Sequence, residues 1–233
     1  MTSSRNPRPV NKSMPTLKTK KQPAQQRATE TYELILDVTA QMLAEVGFER
    51  ISTNLVCERA GLTPPALYRY FPNKYVLLSE LGKRLMQLQN ELIPHWITPQ
   101  VFAGSLTDLE KALQGLILET CNVTEKMKGG VWILRSLRAV PALQLVLQES
   151  NEQVTEVETQ LLAEIFPNAE IESLRLVCRI TVEMISSTIE LLFNEPLNRP
   201  AVAQIVSSMI ASYLVHLKPT IDINNNGETG TAD

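Results

Sequence analysis

The chain has 233 residues, 44% of them apolar and 20% charged, with a formal net charge of −3, an ordinary composition for a soluble protein. No run approaches the roughly 20 apolar residues of a membrane span, and the charged N-terminus lacks the apolar segment of a secretory signal. Three widely spaced cysteines, Cys57, Cys121 and Cys178, suit reduced thiols in a cytoplasmic protein and not a disulfide framework. The small net charge hides an asymmetry. Residues 1–89 hold 13 Lys or Arg against 7 Asp or Glu, whereas residues 90–233 hold 9 against 18. A basic N-terminal part on an acidic body points to an anionic partner at one end.

Residues 1–26 contain Pro7, Pro9, Pro15 and Pro23 with Arg5, Arg8, Lys12, Lys18, Lys20 and Lys21, and no acid. They read as a disordered basic arm. From Arg27 a helical period sets in, with Ile35, Val38, Met42, Leu43 and Val46 on one face and Gly47 as the stop. A short helix over 53–60 has Ser52 as its N-cap and Gly61 as its end. A third spans about 64–71, and a longer one begins near Asn73 and runs toward Ile93. Beyond Pro94 a capping box at Ser105 to Asp108 opens a helix to about Val123. Further helices cover about 131–139, 141–166 (with Pro141 at its first position), 170–193 and 200–216. Residues 218–233 read as a disordered tail. Low glycine content and the absence of a convincing strand give an all-α fold of about nine helices. The domains are a helix-turn-helix module over 27–75 and a helical body over 76–217.

The segment GLTPPALYRYFPNK, Gly61 to Lys74, carries the chemistry. Two short helices separated by a tight turn make a helix-turn-helix, whose second helix enters the major groove. Two prolines at its start remove only amides that have no intrahelical partner. Thr63, preceding a proline, is pushed to the extended geometry of an N-cap. Leu67 and Phe71 face inward with Leu55 and Val56, which leaves Ala66, Tyr68, Arg69 and Tyr70 facing out or sideways. Arg69 suits a guanine edge or a phosphate, and the tyrosine hydroxyls suit phosphates. The competing reading for Tyr68 and Tyr70 is half-buried packing.

The run from Ile35 to Leu78 resembles the N-terminal domain of TetR-family transcriptional regulators. The resemblance rests on Gly47-Phe48, Ser52-Thr53, Arg59-Ala60-Gly61-Leu62-Thr63, Leu67-Tyr68-Arg69-Tyr70-Phe71 and Asn73-Lys74. It covers about a fifth of the chain. It implies that Ser52 and Thr53 bind a phosphate, that Pro64, Pro65, Ala66, Tyr68 and Arg69 lie at base edges, and that Tyr70 and Lys74 hold the DNA backbone. Many members carry Lys-Gly or a similar pair where this chain has Pro64-Pro65.

The same resemblance implies that the C-terminal two-thirds dimerises and binds an effector. The last two helices, about 170–193 and 200–217, are apolar on more than one face and form the expected homodimer surface. Candidate pocket residues are Trp96, Phe102, Met127, Trp132 and Met184, with Arg135 and Glu183 as polar groups, a supply that fits a largely apolar effector. No phosphate-binding, dinucleotide or zinc-ligand motif is present, and His95 and His216 have no metal-ligand or nucleophile partners in sequence. Neither catalysis, nor a cofactor, nor a metal site is therefore expected. The favoured reading is a dimeric repressor released from a palindromic operator by a small effector. The alternative is a helical interaction module with a basic nucleic-acid- or membrane-binding arm.

Overall fold

A computed structural model describes residues 26–225, with side chains placed over 27–215. The basic arm lies outside the described residues. Eleven α-helices and no strand are found among them: α1 (Gln26–Arg50), α2 (Thr53–Ala60), α3 (Pro64–Tyr68), α4 (Lys74–Asn90), α5 (Ile93–Trp96), α6 (Pro99–Ala103), α7 (Leu106–Lys126), α8 (Gly130–Ala139), α9 (Gln144–Ile165), α10 (Ile171–Asn194) and α11 (Arg199–Asn225). The all-α expectation holds. The two helices beyond the expected nine are α5 and α6, each started by a proline within its first two positions. They are too short for periodicity to reveal.

Local chemistry sets most boundaries. Gly47 interrupts α1 with φ 72° and ψ 168°, a conformation essentially reserved for glycine. The Ser52 hydroxyl accepts from the Leu55 amide, and Asn73 Oδ1 accepts from the amides of Tyr75 and Val76. At α7, Asp108 N–H donates to Ser105 Oγ and Ser105 N–H donates to Asp108 Oδ2, completing the box. Three boundaries need correction. Helix α3 ends at Tyr68, short of Phe71, because the chain must turn before Pro72. Pro141 opens a 3-10 turn, Pro141–Leu143, that feeds α9. Helix α11 continues to Asn225, into the expected tail.

One apolar cluster joins the N-terminal helices to the body. It runs from Ile35, Leu43, Leu67 and Phe71 through Leu77, Leu81 and Leu85 of α4 to Ile133 and Leu137 of α8. Helix α4 thus crosses the expected boundary near residue 75 with both its ends in one core. A second cluster, around Phe102, Leu113, Leu162, Leu174, Ile210 and Leu214, closes the far end. There α7 packs along α11, and α9 along α10. Buried threonines are satisfied by their own helices: Thr39, Thr120, Thr124, Thr155, Thr159 and Thr188 each donate to the carbonyl four residues back. All three cysteines are buried as free thiols.

Helix α1 is fastened to the body at two points. Arg84 of α4 forks onto Glu33 at 2.6 and 2.7 Å, which holds the Glu33 carboxyl below its ordinary range. At the α7–α8 turn, Lys128 Nζ lies 2.7 Å from Asp37, and Gly129 sits with φ 69° directly against the Ala40 carbonyl. A Cβ at Gly129 would overlap that backbone oxygen, and neither backbone can yield locally. Gly129→Ala is therefore expected to lower the free energy of unfolding by about 2 kcal/mol or more, from the left-handed conformation and the steric overlap together. Urea denaturation at equilibrium measures it; an unchanged midpoint would show that the contact relaxes freely.

Candidate nucleic-acid interface and interior cavity

Helix α3 is positioned from beneath by Leu67, fully buried, and by Phe71, whose ring stacks on Tyr32 at 4.9 Å. These anchors leave Thr63, Pro64, Pro65, Tyr68 and Arg69 exposed along one rim, with Ala66 half-buried beside them. Thr63 is extended (φ −81°, ψ 149°) as expected, but its side chain makes no capping hydrogen bond, so its hydroxyl is left to a partner outside the helix. Among the described residues no carboxylate pairs with Arg69.

The two candidate helices are linked across the rim. Thr53 Oγ1 and the Tyr68 hydroxyl are 2.9 Å apart, so the start of α2 and the face of α3 present one continuous polar edge. The Ser52 hydroxyl caps the Leu55 amide, which leaves the amides of Thr53 and Asn54 without an intrahelical partner. Arg59 pairs with Glu45 and fixes α2 against α1. Lys74, at the first position of α4, lies 4.2 Å above the Phe48 ring. A cation there opposes the helix dipole and gains nothing for α4 itself. It adds positive potential at the edge where these α2 amides lack an intrahelical partner.

Tyr70 is corrected. Only 4% of it is exposed, and its ring meets Tyr32 edge-on at 5.9 Å. Ending α3 at Tyr68 turns residue 70 under the module, so Tyr70 packs in the core and does not stand out on the rim as expected.

The seven expected pocket residues are not brought together. Trp132 is 40% exposed and stacks with Arg135 at 5.0 Å, while Arg135 donates to the Phe193 carbonyl. Trp96 lies flat on Gly115 and donates to Glu119. Glu183 pairs with Arg179 and accepts from Asn151. Met127 packs at the end of α7, and Met184 and Phe102 belong to the distal core. Phe102 lines a small cavity near Leu214.

The central cavity lies elsewhere, with a volume of about 70 Å³ between α4, α7, α8, α9 and α10. Met86 and Asn90 of α4, Thr120 of α7, and Asn151, Val154 and Glu158 of α9 are in its wall. It adjoins an open apolar groove of about 480 Å³ lined by Ile93, Pro94, Ile97, Pro99, Val157 and Leu161. Glu158 belongs to the walls of the cavity, the groove and the small distal cavity alike. Burial pushes its carboxyl up to about 7. The sequence did carry a signal for this: residues 151, 154, 155, 158, 159 and 162 share one face of α9, and Glu158 is its one charge.

Among the described residues there is no group of three His, Cys, Asp or Glu side chains that could hold a metal ion, and no single helix long and apolar enough to cross a membrane.

Residues 35–81 match the family described as bacterial regulatory proteins, tetR family. The tetracycline repressor protein class C of Escherichia coli is 33% identical over 58 residues, 25% of this chain and 26% of that protein. The HTH-type transcriptional repressor KstR of Mycolicibacterium smegmatis is 37% identical over 60 residues, 25% of this chain and 29% of that one. The matched stretch spans only about a quarter of the length of these relatives. The fold is shared more widely. The SmeT–triclosan complex aligns with 79% of this chain and 91% of its own at a TM-score of 0.60 and 18% identity. The fatty acid degradation regulator FadR of Bacillus halodurans aligns with 78% and 94% at 0.56 and 19%. The helix-turn-helix module over 35–81 is thus similar in sequence to the tetR family of bacterial regulatory proteins, and the helical body is similar in fold to these solved structures.

Proposed function

We propose that this protein is a dimeric, sequence-specific DNA-binding repressor, released from a palindromic operator by a small, largely apolar effector. One observation carries the reading: α4 begins with Lys74 beside the rim of Pro64, Pro65, Tyr68 and Arg69 and ends with Met86 and Asn90 in the cavity wall. A rigid helix about 25 Å long, at 1.5 Å per residue, joins the two sites. A ligand that displaces Asn90 moves the base of the reading head, provided it binds the displaced arrangement more tightly. The names of the sequence relatives, both repressors, support the direction of control. A gel shift with a palindromic duplex and a scrambled duplex of the same composition tests the reading; equal shifts would favour the interaction-module alternative.

The rest of the assignment follows the exposed surfaces. Thr53, Tyr68, Lys74 and the amides at the start of α2 hold the backbone, and Pro64, Pro65, Ala66 and Arg69 face base edges. The free guanidinium of Arg69 pairs with a guanine edge, worth roughly 1–3 kcal/mol against the wrong base. Arg69→Ala is expected to weaken the native operator and make one base pair per half-site tolerant of substitution. Affinities across singly substituted operators at fixed salt check this, and a uniform loss would make Arg69 a phosphate clamp.

Dimerisation is assigned to α10 and α11, where Leu176, Ile180, Ile205, Met209 and Tyr213 are each more than half exposed. A one-sided apolar face on two adjacent helices of a monomer requires a partner. Replacing Met209 and Tyr213 together by Glu is expected to give monomers in sedimentation velocity and to abolish tight operator binding. Deleting Met1 to Pro23 removes six Lys or Arg. It is expected to flatten the slope of log affinity against log salt, to which each phosphate contact contributes about −0.9, and to weaken all duplexes alike.

A further inference from the structure

The cavity and groove contain one ionisable carboxylate and no cation. Across the central cavity, the apolar groove and the small distal cavity, Glu158 is the one acidic or basic side chain in the walls. No hydrogen bond or ion pair holds Glu158 among the described residues; its side chain is half-buried, between the buried Val154, Thr155, Thr159 and Leu162 of α9 and the open groove. The other titratable group beside it is the Cys178 thiol, itself pushed up to about 11 by burial. A second cleft, sharing Met86, Asn90 and Ser150 with the cavity, adds Lys83 but also Glu91 and Glu149, and so is net acidic.

An unpartnered carboxylate in an apolar enclosure destabilises the protein unless something meets it. Within this wall no side chain does, and the half-buried carboxyl faces the cavities and the open groove. An anionic ligand would find no counter-charge and would face Glu158. A neutral apolar ligand would leave the carboxylate unpaired. A cation would neutralise it where the dielectric is lower and the attraction larger than in water; Asn90 and Ser150 already bond each other and Asn151 donates to Glu183, so the carboxylate is the anchor this wall offers a charged head.

Building on the assignment of this cavity as the effector site, the geometry points to Glu158 as the anchor for a lipophilic monocation, an alkyl- or arylammonium. Its charged nitrogen meets the carboxylate at the junction of the cavities, and its apolar body lies along Ile93, Pro94, Ile97, Pro99 and Leu161. The groove's volume is in the range of small-molecule sites, whereas the inner cavity holds only a small substituent.

The test is titration calorimetry on the full chain with three probes that share one alkyl tail: decyltrimethylammonium, decanol and decanoate, all below micelle-forming concentrations. At pH 8 the cation is expected to bind at least about tenfold more tightly than decanol, with decanoate the weakest. Glu158→Gln is expected to lower the cation to the affinity of decanol and leave decanol unchanged. Glu156→Gln, an exposed carboxylate two residues away that accepts from Gln160, is expected to change neither. Because the probe's charge is permanent and burial brings Glu158 to about 7, cation affinity is expected to fall about fivefold or more from pH 8 to pH 6, toward that of decanol. Equal affinity for decanoate, or a Glu158→Gln variant that keeps the cation, overturns the assignment.

Folding of the variant is checked by its melting temperature. The carboxyl takes up its proton more readily in the folded state, about 7 against an ordinary 4.5, so its stabilising contribution is complete below about 4.5 and lost as pH rises through 7. Glu158→Gln should therefore melt above the wild type at pH 8 and match it at pH 4. A lower melting temperature at pH 8 would mean that Glu158 is structurally paired, and would sink the proposal. Operator binding is followed in parallel. Cation binding without any preference for a palindromic duplex leaves the site standing and removes the repressor reading. Operator binding without cation binding removes only the site.

Discussion

Helix α4 must be buried on two sides, and the rest of the molecule is arranged to do so. Val76, Leu77, Leu78, Leu81, Leu85 and Met86 are all within a few per cent of complete burial. At roughly 1.5–3 kcal/mol per fully buried side chain, this helix is a large apolar commitment of the fold. Helix α1 covers one side and α8 with α9 cover the other. Gly82 permits the closest approach, since a Cβ there would overlap the Leu137 side chain. The N-terminal module is consequently not a bead on a string. It shares a core with the body, and any shift of α4 is felt in both.

The two functional regions treat charge in opposite ways. On the reading head the cations are exposed or stacked on rings, with Lys74 over Phe48 and Arg69 at the rim. There solvent screens them. Inside the body the half-buried Glu158 stands in a largely apolar wall, where screening is weaker than at the rim. The surface ion pairs that clamp α1, Arg84–Glu33 and Lys128–Asp37, lie between these extremes. They fix geometry at the junction more than they add stability.

The departure at Pro64-Pro65 also has a structural reading. Two prolines at the first two positions of α3 set its leading turn without any side-chain cap. The helix is only five residues long, too short to be stable alone. Its geometry is fixed by the prolines at one end and by buried Leu67 and Phe71 at the other. The result is a short, stiff helix with an apolar leading edge.

The sequence by itself determined the elements whose causes are local. Ser52, Asn73 and the Ser105–Asp108 box mark helix starts because a short polar side chain meets a free amide within three residues. Gly47 marks a stop because its backbone geometry excludes other residues. The helix-turn-helix and its exposed rim were legible for the same reason, since spacing within 20 residues fixes which side chains face inward. Tyr70 escaped because its burial depends on where α3 ends and on Tyr32, nearly 40 residues earlier. The cavity escaped more completely. Its wall takes Asn90, Thr120, Asn151 and Glu158 from three helices far apart in the chain, and large residues such as Trp132 turned outward instead. Only tertiary packing decides where helices fail to fill the space between them, because a void is defined by what several distant side chains do not reach.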